Sequence, residues 1–481
     1  RELLFASEIK ALLAGGVRPE LNEEALPAFL ANRFVSGAAT FFKGVTQLLP
    51  GHTLSVDVRR GARRLRRYWS LPAPAETTHT LPQAAEAVRG SLQDAVRSHL
   101  MSDVPLGLFL SGGIDSSALL GHMARLLPEP VRTYSVGFRE QEANELAYAR
   151  MAAAAAGARH REIVVSPVQF FGALPKLVWH EDEPIALPSS VPLYFVSRLA
   201  SEDVKVVLTG EGADELFLGY NRYRVALWNA RLGGVYRRLT GLGQRRFLAG
   251  LLGHLPPQLR RRAGRTFLAQ PEERDRDVFE SATVFSGELR SRLLADAPPA
   301  DRDPHAEALR SYRLAPGHTL DRLSRADIDT YLVRLLMKQD RMSMAASIES
   351  RVPYLDQRLV EQVAALPERL KLSFWKTKRV LREAVRETVP PAVLRRPKMG
   401  FPVPIGSWLR GRFWPLAEEL LLSPRSLERG LFDPQVVRNL AQEHRTGAAE
   451  HGERLWLLAN LEIWQRVFLE NDHGLSLERA A

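Results

Sequence analysis

The sequence predicts an α/β chain: a doubly wound parallel sheet with a helical C-terminal part, preceded by a smaller α+β segment. Three observations carry this. Between residues 81 and 220, apolar runs alternate with amphipathic stretches, the rhythm of strands joined by crossover helices. Two of the apolar runs, "PLGLFL" and "VKVVLTG", break abruptly into glycine, hydroxyl and acidic residues. From residue 325 onward the apolar pattern keeps only a helical period.

Taken in order, "FASEIKALLAGG" reads as a short helix closed by glycine, and "ALPAFLANRF" as a second. "LLPGHTLSVDV" and "RRLRRYWSL" pair as antiparallel strands, with the basic run "RRGARRLRR" (59–67) as a solvated turn around Gly61. The proline- and threonine-rich "PAPAETTHT" is the best linker. These signals divide the chain into 1–72, a linker at 73–80, a main unit at 81–470 and a frayed tail at 471–481. "LPQAAEAVRGSLQDAVRSHL" opens the main unit as an amphipathic helix, with Ala84, Val88, Leu92, Val96 and Leu100 at four-residue spacing. Strands follow at "PLGLFL", "VRTYSVGF", "HREIVV" and "VKVVLTG", with helices at "SSALLGHMARLL", "NELAYARMAAAAAGA" and "SSVPLYFVSRLASE" between them. The arginine-rich stretch 220–320 reads as mostly helical with proline breaks. Helices are expected at "IDTYLVRLLMKQDRMSMAAS", "QRLVEQVAALP", "KRVLREAVRETV" and "ERLWLLANLEIWQRVFLE".

Composition excludes several classes. The 481 residues are 45% hydrophobic and 25% charged, ordinary for a globular chain. No apolar run approaches the ~20 residues of a membrane span, and "RELLFASEIK" has no signal-peptide pattern. The reading is a cytoplasmic protein without membrane insertion. With no cysteine, disulfides, thiolate metal sites and cysteine nucleophiles are out. The net charge of +11 raises a nucleic-acid partner, but the basic residues look scattered and no separate basic module with interleaved aromatics is present. No nucleic-acid partner is expected.

Three stretches carry chemistry. In "LSGGIDSS", Leu110, Ser111, Gly112, Gly113, Asp115, Ser116 and Ser117 fall between a strand end and a helix start. There unpaired backbone N–H groups and the helix dipole favour an anion, and glycines let backbone approach phosphate oxygens. Asp115 would repel phosphates unless it shares Mg²⁺ with them. The Walker motif is absent, so this is another way of holding a nucleotide. In "VVLTGEGADELFLGY", Thr209 and Gly210 end a strand and are followed by Glu211, Asp214 and Glu215. In a parallel sheet these acids share an edge with Ser111, which a divalent cation would make tolerable. In "RRPKMGFPVPIGSWLRG", Lys398, Arg395 and Arg396 precede a glycine–proline loop read as too short for a helix, and Lys398 is placed to meet an anionic leaving group. "MKQDRMSMAASIESRVPYLD" reads as a buried ionic network of Lys338, Asp340, Arg341, Glu349, Arg351 and Asp356 lining the site.

In this order the motifs resemble those of the glutamine-hydrolysing asparagine synthetases: "LSGGIDSS" the pyrophosphate loop, "LTGEGADELFLGY", "SIESRVPYLD" and "RPKMGFPVPIGSWLRG" the later site motifs. "LLFASEIKALL" and "LLPGHTLSV…RYW" resemble the end of that family's glutaminase domain, and "LWLLANLEIWQRVF" its closing helix. The resemblance implies a PP-loop ATP-pyrophosphatase fold after the end of an N-terminal-nucleophile-type glutaminase domain. It implies ATP and Mg²⁺, with Leu110 through Ser117, Val136, Thr209 and Gly210 at the nucleotide. Asp115 and Asp214 would hold the metal, and Glu211 and Lys398 would be catalytic. The implied substrates are aspartate or another carboxylate, with ammonia or glutamine, and a homodimer is a compatible assembly.

Two departures stand out. The family's glutaminase nucleophile is an N-terminal cysteine, so the expectation is that the natural protein has further residues before Arg1 and that this chain uses free ammonia. Leu187 in "EPIALPSS" stands where relatives often carry a polar residue, which weakens aspartate as the acceptor. The alternatives are the same adenylating chemistry on a cell-surface sugar acid or a peptide side chain, a PP-loop RNA-modifying enzyme, and a non-catalytic nucleotide-binding protein.

Overall fold

The computed structural model describes residues 2–140, 145–256, 259–260, 263–270, 272, 275–294, 303–396, 398, 400, 402–472, 474–475 and 477. Near the N-terminus, β1 (His52–Val56) and β2 (Arg63–Arg67) pair antiparallel, and every residue of β2 is exposed. The run 59–67 is therefore the solvated hairpin read from sequence. A five-stranded parallel sheet forms the centre, from β3 (Leu106–Phe109), β4 (Arg132–Gly137), β5 (Arg159–Val164), β6 (Val206–Leu208) and β7 (Glu349–Arg351).

Strand order is β5–β4–β3–β6–β7. The chain winds outward from β3 to β5, then returns to lay β6 against the other side of β3. The winding reverses between β3 and β6, and ligands of open parallel sheets bind at such a switch point. Burial follows position: β6 is wholly buried, whereas β5 and β7 at the edges are half-buried or exposed. The outer strand β7 was not anticipated. It falls in "SIESRVPYLD", whose charged residues give no strand pattern, and it forms by pairing Glu349 and Arg351 with Val206 and Leu208. Backbone completion of an open sheet edge, not side-chain propensity, makes this strand.

The helix Leu81–His99 buries Ala84, Val88, Leu92 and Val96 as its spacing predicts, with Leu100 just beyond its end. Residues 26–42 do not stand apart from the rest. Phe42 packs on Trp464 and Phe468 at ring distances of 4.9 and 5.3 Å, and Phe41 on Trp464 at 5.7 Å. Residues 71–80 hold no regular element. They are strapped down by Ala75 N donating to Ala365 O and Arg325 Nη1 to Leu71 O, both 2.9 Å.

Several expectations change. The helix read through "IDTYLVRLLMKQDRMSMAAS" is two helices, Thr319–Asp329 and Tyr331–Met344, broken at Thr330. Thr330 leaves the helical region (φ −127°, ψ −70°), and its hydroxyl donates to Ala326 O at 2.6 Å. "KRVLREAVRETV" is helical only over Arg379–Ala384. Ile405–Arg410 is a short helix rather than loop, anchored by buried Ile405, Trp408 and Leu409. Much of the tail 471–481 lies outside the described residues; within it Leu477 is buried. Of the supposed buried network, Asp340 and Glu349 are exposed; Asp356 caps the next helix by accepting from Arg358 N.

Helix Tyr331–Met344 organises buried charge. Arg334 Nη1 and Nη2 lie 2.7 Å from Glu183 and Glu181, and Arg341 Nη1 lies 2.5 Å from Glu8. Removing one partner of such a pair leaves an uncompensated charge away from water. Arg334→Ala should therefore lower unfolding stability by about 3–5 kcal/mol, read as a fall in urea midpoint at unchanged slope.

Candidate functional site

The loop after β3 is shaped by its own hydroxyls. Ser111 N and Oγ each lie 3.2 Å from Ser116 Oγ, and Gly113 N donates to Ser111 Oγ at 3.3 Å. Gly112 has φ +69°, and a Cβ there would come within 2.5 Å of Ala149 N, so glycine is required twice over. Helix Ile114–Leu126 begins at this turn, and its first-turn N–H groups lack helical partners.

Beyond β3 and β6 lies a cavity of about 310 Å³. Of the residues singled out from sequence, Leu110, Ser111, Asp115, Ser116, Val136, Thr209, Gly210, Glu211, Asp214 and Lys398 line it. Gly112 and Gly113 form the turn behind it. Ser117 does not face it: the residue is 3% exposed and its Oγ finds no partner. The two strand ends touch, since a Cβ on Gly210 would lie 3.1 Å from Asp115 Cβ. Leu187 is not in the lining, whereas Ser189 is.

At the middle of this edge is a residue that sequence reasoning missed. Lys378 Nζ donates to both oxygens of Asp115 at 2.7 Å. It also lies 2.7 Å from Asp214 Oδ1. Asp214 Oδ2 accepts from Lys398 Nζ at 2.6 Å. Lys378 adopts φ +53°, a left-handed conformation uncommon for lysine, just before helix Arg379–Ala384. In the sequence it is one lysine of "FWKTKR", and nothing there separates it from a surface residue.

Burial alone would raise the Asp214 pKa, but the two ammonium groups overcome it and hold the carboxyl down at about 2. Burial works against the charge of Lys398 as well. Asp214 and Asp115 more than reverse it and lift the ammonium above its ordinary range, so Lys398 stays a cation. Lys338 Nζ reaches Glu211 at 3.5 Å. Arg396 ties the fourth motif to the loop: it donates to Gly112 O at 3.2 Å, pairs with Glu145, and lies 4.3 Å over the Tyr148 ring.

The carboxylates of Asp115 and Asp214 share one cation position, which the Lys378 ammonium fills at 2.7 Å from each. Mg²⁺ fits such a set, because it takes one or two carboxylates and completes its shell with phosphate oxygens and water. No cluster of three or more metal-ligating side chains exists among the described residues. A second cavity of about 740 Å³ shares Lys398 with the first. Arg224, Lys376, Arg382, Arg395 and Arg396 line it, and no acid does among the described residues. The second cavity thus offers fixed positive charge next to the acids of the first, joined to it at Lys398.

Beneath the site, Glu215 is fully buried and accepts from Tyr220 Oη, while its Oε2 finds no partner. Burial, reinforced by the charge of Asp214, pushes its pKa from 4.5 to about 7. A carboxyl raised on folding contributes its stability fully below its unfolded value and loses it as pH rises through the folded value. Glu215→Gln keeps an acceptor for Tyr220 and cannot ionise. Its melting temperature should therefore gain on the parent protein between pH 4.5 and 7 and keep that gain above, measured by calorimetry across that range.

An asparagine synthase family model matches residues 87–466, and a glutamine amidotransferase domain model matches residues 1–69. The chain is 32% identical over 474 residues to glutamine-hydrolyzing asparagine synthetase 1 of Bacillus subtilis, covering 98% of this chain and 72% of the relative. It is 35% identical over 479 residues to a putative glutamine-hydrolyzing asparagine synthetase of Mycobacterium tuberculosis, covering 97% and 71%. The amidase chry2 of Gibberella zeae is 26% identical over 527 residues, covering 98% and 74%.

Proposed function

The chain belongs to the asparagine synthase family, and from that premise we propose that it joins ammonia to the side-chain carboxylate of aspartate at the expense of ATP. The products are asparagine, AMP and pyrophosphate. One observation carries the reading: the acid-bearing ends of β3 and β6 meet around lysine ammonium groups in one cavity, beside a glycine–serine turn at a helix start.

A carboxylate is a poor acceptor for ammonia because its leaving group would be oxide or hydroxide. In the proposed first step, a carboxylate oxygen of aspartate attacks the α-phosphorus. The bond to the bridging oxygen breaks, and pyrophosphate leaves with its electron pair. Ser111, Ser116 and the backbone of the turn hold the phosphates, Val136 and Thr209 contact the nucleoside, and Lys398 and Lys378 offset charge growing on the leaving group. Mg²⁺ would be held by Asp115 and Asp214 and would supply further neutralisation of the phosphate oxygens. In the second step, ammonia attacks the carbonyl of the β-aspartyl adenylate, AMP departs, and Glu211 takes the surplus proton. Lys338 orients Glu211. In a longer protein carrying a complete amidotransferase domain, the ammonia would come from glutamine. The proposed setting is the cytoplasm.

Leu187 does not line the cavity, so it gives no argument against aspartate; a second acceptor is kept in view because a relative named as an amidase aligns over nearly the whole chain. The test is pyrophosphate release with ATP, Mg²⁺ and ammonium over a panel of carboxylates headed by aspartate. Aspartate should give the largest release; greater release with a sugar acid or peptide carboxylate would transfer the same chemistry to that acceptor. Glu211→Gln should cut release by about 10²–10⁴-fold and leave ATP affinity within about twofold.

A further inference from the structure

Residues 216–271 contain eleven arginines and no lysine, aspartate or glutamate. This stretch alone therefore carries +11, the formal net charge of the whole chain, and the remaining residues balance to zero. Its described part is built on two consecutive helices, Asn221–Leu239 and Leu242–Gly253.

The second helix, "LGQRRFLAGLLG", has no buried residue although half of it is leucine, phenylalanine or alanine. Phe247 is 70% exposed and Leu251 52%, one turn apart on the same face. On the first helix Leu232, Val235 and Leu239 fall at i, i+3 and i+7, and all three are exposed. Helices of a globular protein normally bury such a stripe. Here the stripes stand beside exposed Arg231, Arg238, Arg246 and Arg260. Some of these arginines have acidic partners, as Arg246 has Glu272 at 3.2 Å and Arg231 has Glu368 at 2.8 Å. Arg222 has Asp327 at 2.8 Å, but the stretch itself supplies no acid.

We propose that the exposed faces of helices Asn221–Leu239 and Leu242–Gly253, with Arg260, form an interfacial docking surface for an anionic lipid bilayer, lying on the headgroups without crossing them. The occupant follows from two properties together. A surface so one-sided in charge calls for a polyanion, and the leucine and phenylalanine side chains among the arginines call for a partner with an apolar layer beneath its charge. Nucleic acid supplies the first but not the second, because its affinity comes from phosphate contacts and base stacking. No helix among the described residues is long and apolar enough to cross a membrane, in keeping with adsorption.

The experiment is co-sedimentation of the full 481-residue chain with vesicles of phosphatidylcholine alone or with about 30% phosphatidylglycerol, at about 0.1 M and about 0.5 M salt. Binding should require the anionic lipid and fall at high salt. The double variant Phe247→Ser/Leu251→Ser should weaken it about tenfold or more, as should the triple variant Arg238→Gln/Arg246→Gln/Arg260→Gln, with pyrophosphate release and circular dichroism unchanged. Either of two results overturns the proposal: no preference for anionic vesicles, or binding indifferent to the Phe247/Leu251 change while single-stranded RNA displaces the vesicles. A dimer in sedimentation velocity that the Phe247/Leu251 change dissociates also overturns it, assigning the face to a second copy of this chain.

Discussion

Two carboxylates and two ammonium groups meet at the tips of adjacent parallel strands, and the active edge of the molecule depends on that meeting. Asp115 and Asp214 arrive from β3 and β6, brought close because Gly210 lacks the side chain that would hold the strand ends apart. Left alone, the acids would repel each other in a partly buried crevice and draw protons. Lys378 sits on both and Lys398 on one, so the acids remain charged. The same arrangement explains the left-handed backbone at Lys378: a local conformational cost is offset by its pairing with both carboxylates.

Helix Tyr331–Met344 gives the edge its backing. One side presents Leu335, Lys338 and Gln339 to the cavity, and Gln339 Nε2 donates to Ser350 Oγ on β7 at 2.9 Å. Its other arginines engage Glu181, Glu183 and Glu8. The N-terminal segment thus contacts the same helix that lines the cavity, where Arg341 Nη2 donates to Ser7 O, and it is tied down beside it by Lys10 pairing with Asp182 at 3.0 Å. Buried charge of this kind adds little net stability over an apolar core but fixes one arrangement, since any other would strand an ion. The break at Thr330 lets this helix and the one before it take separate directions.

Charge is partitioned along the chain. The cavity balances acids against lysines at short range, whereas the excess positive charge is concentrated in the arginine helices 221–253. One helix of that segment, Leu242–Gly253, buries nothing. Apart from Arg224, which lines the second cavity, the arginines of the segment line neither cavity, and its exposure is what makes an external partner a physical question.

Much of this was legible in the sequence, because periodicity and strand-end chemistry are local properties. Four of the five parallel strands, the amphipathic helix at 81–99, the solvated hairpin and the glycine–serine turn each announce themselves within a dozen residues. Eight of the cavity residues could be picked out because glycine, hydroxyl and acid cluster where an apolar run stops; Val136 came only from the family resemblance, and Lys398 from a basic stretch before a glycine–proline loop. What only the tertiary structure decided is long-range: β7 is a strand because β6 offers it an unpaired edge, and Ser117 turns inward because helix geometry points it there. Lys378 is a site residue because 263 positions of chain fold back to bring its ammonium onto Asp115. A lysine in a basic run carries no sign of which carboxylates it will meet, since Coulomb partners are chosen by distance in space and sequence records only distance along the chain.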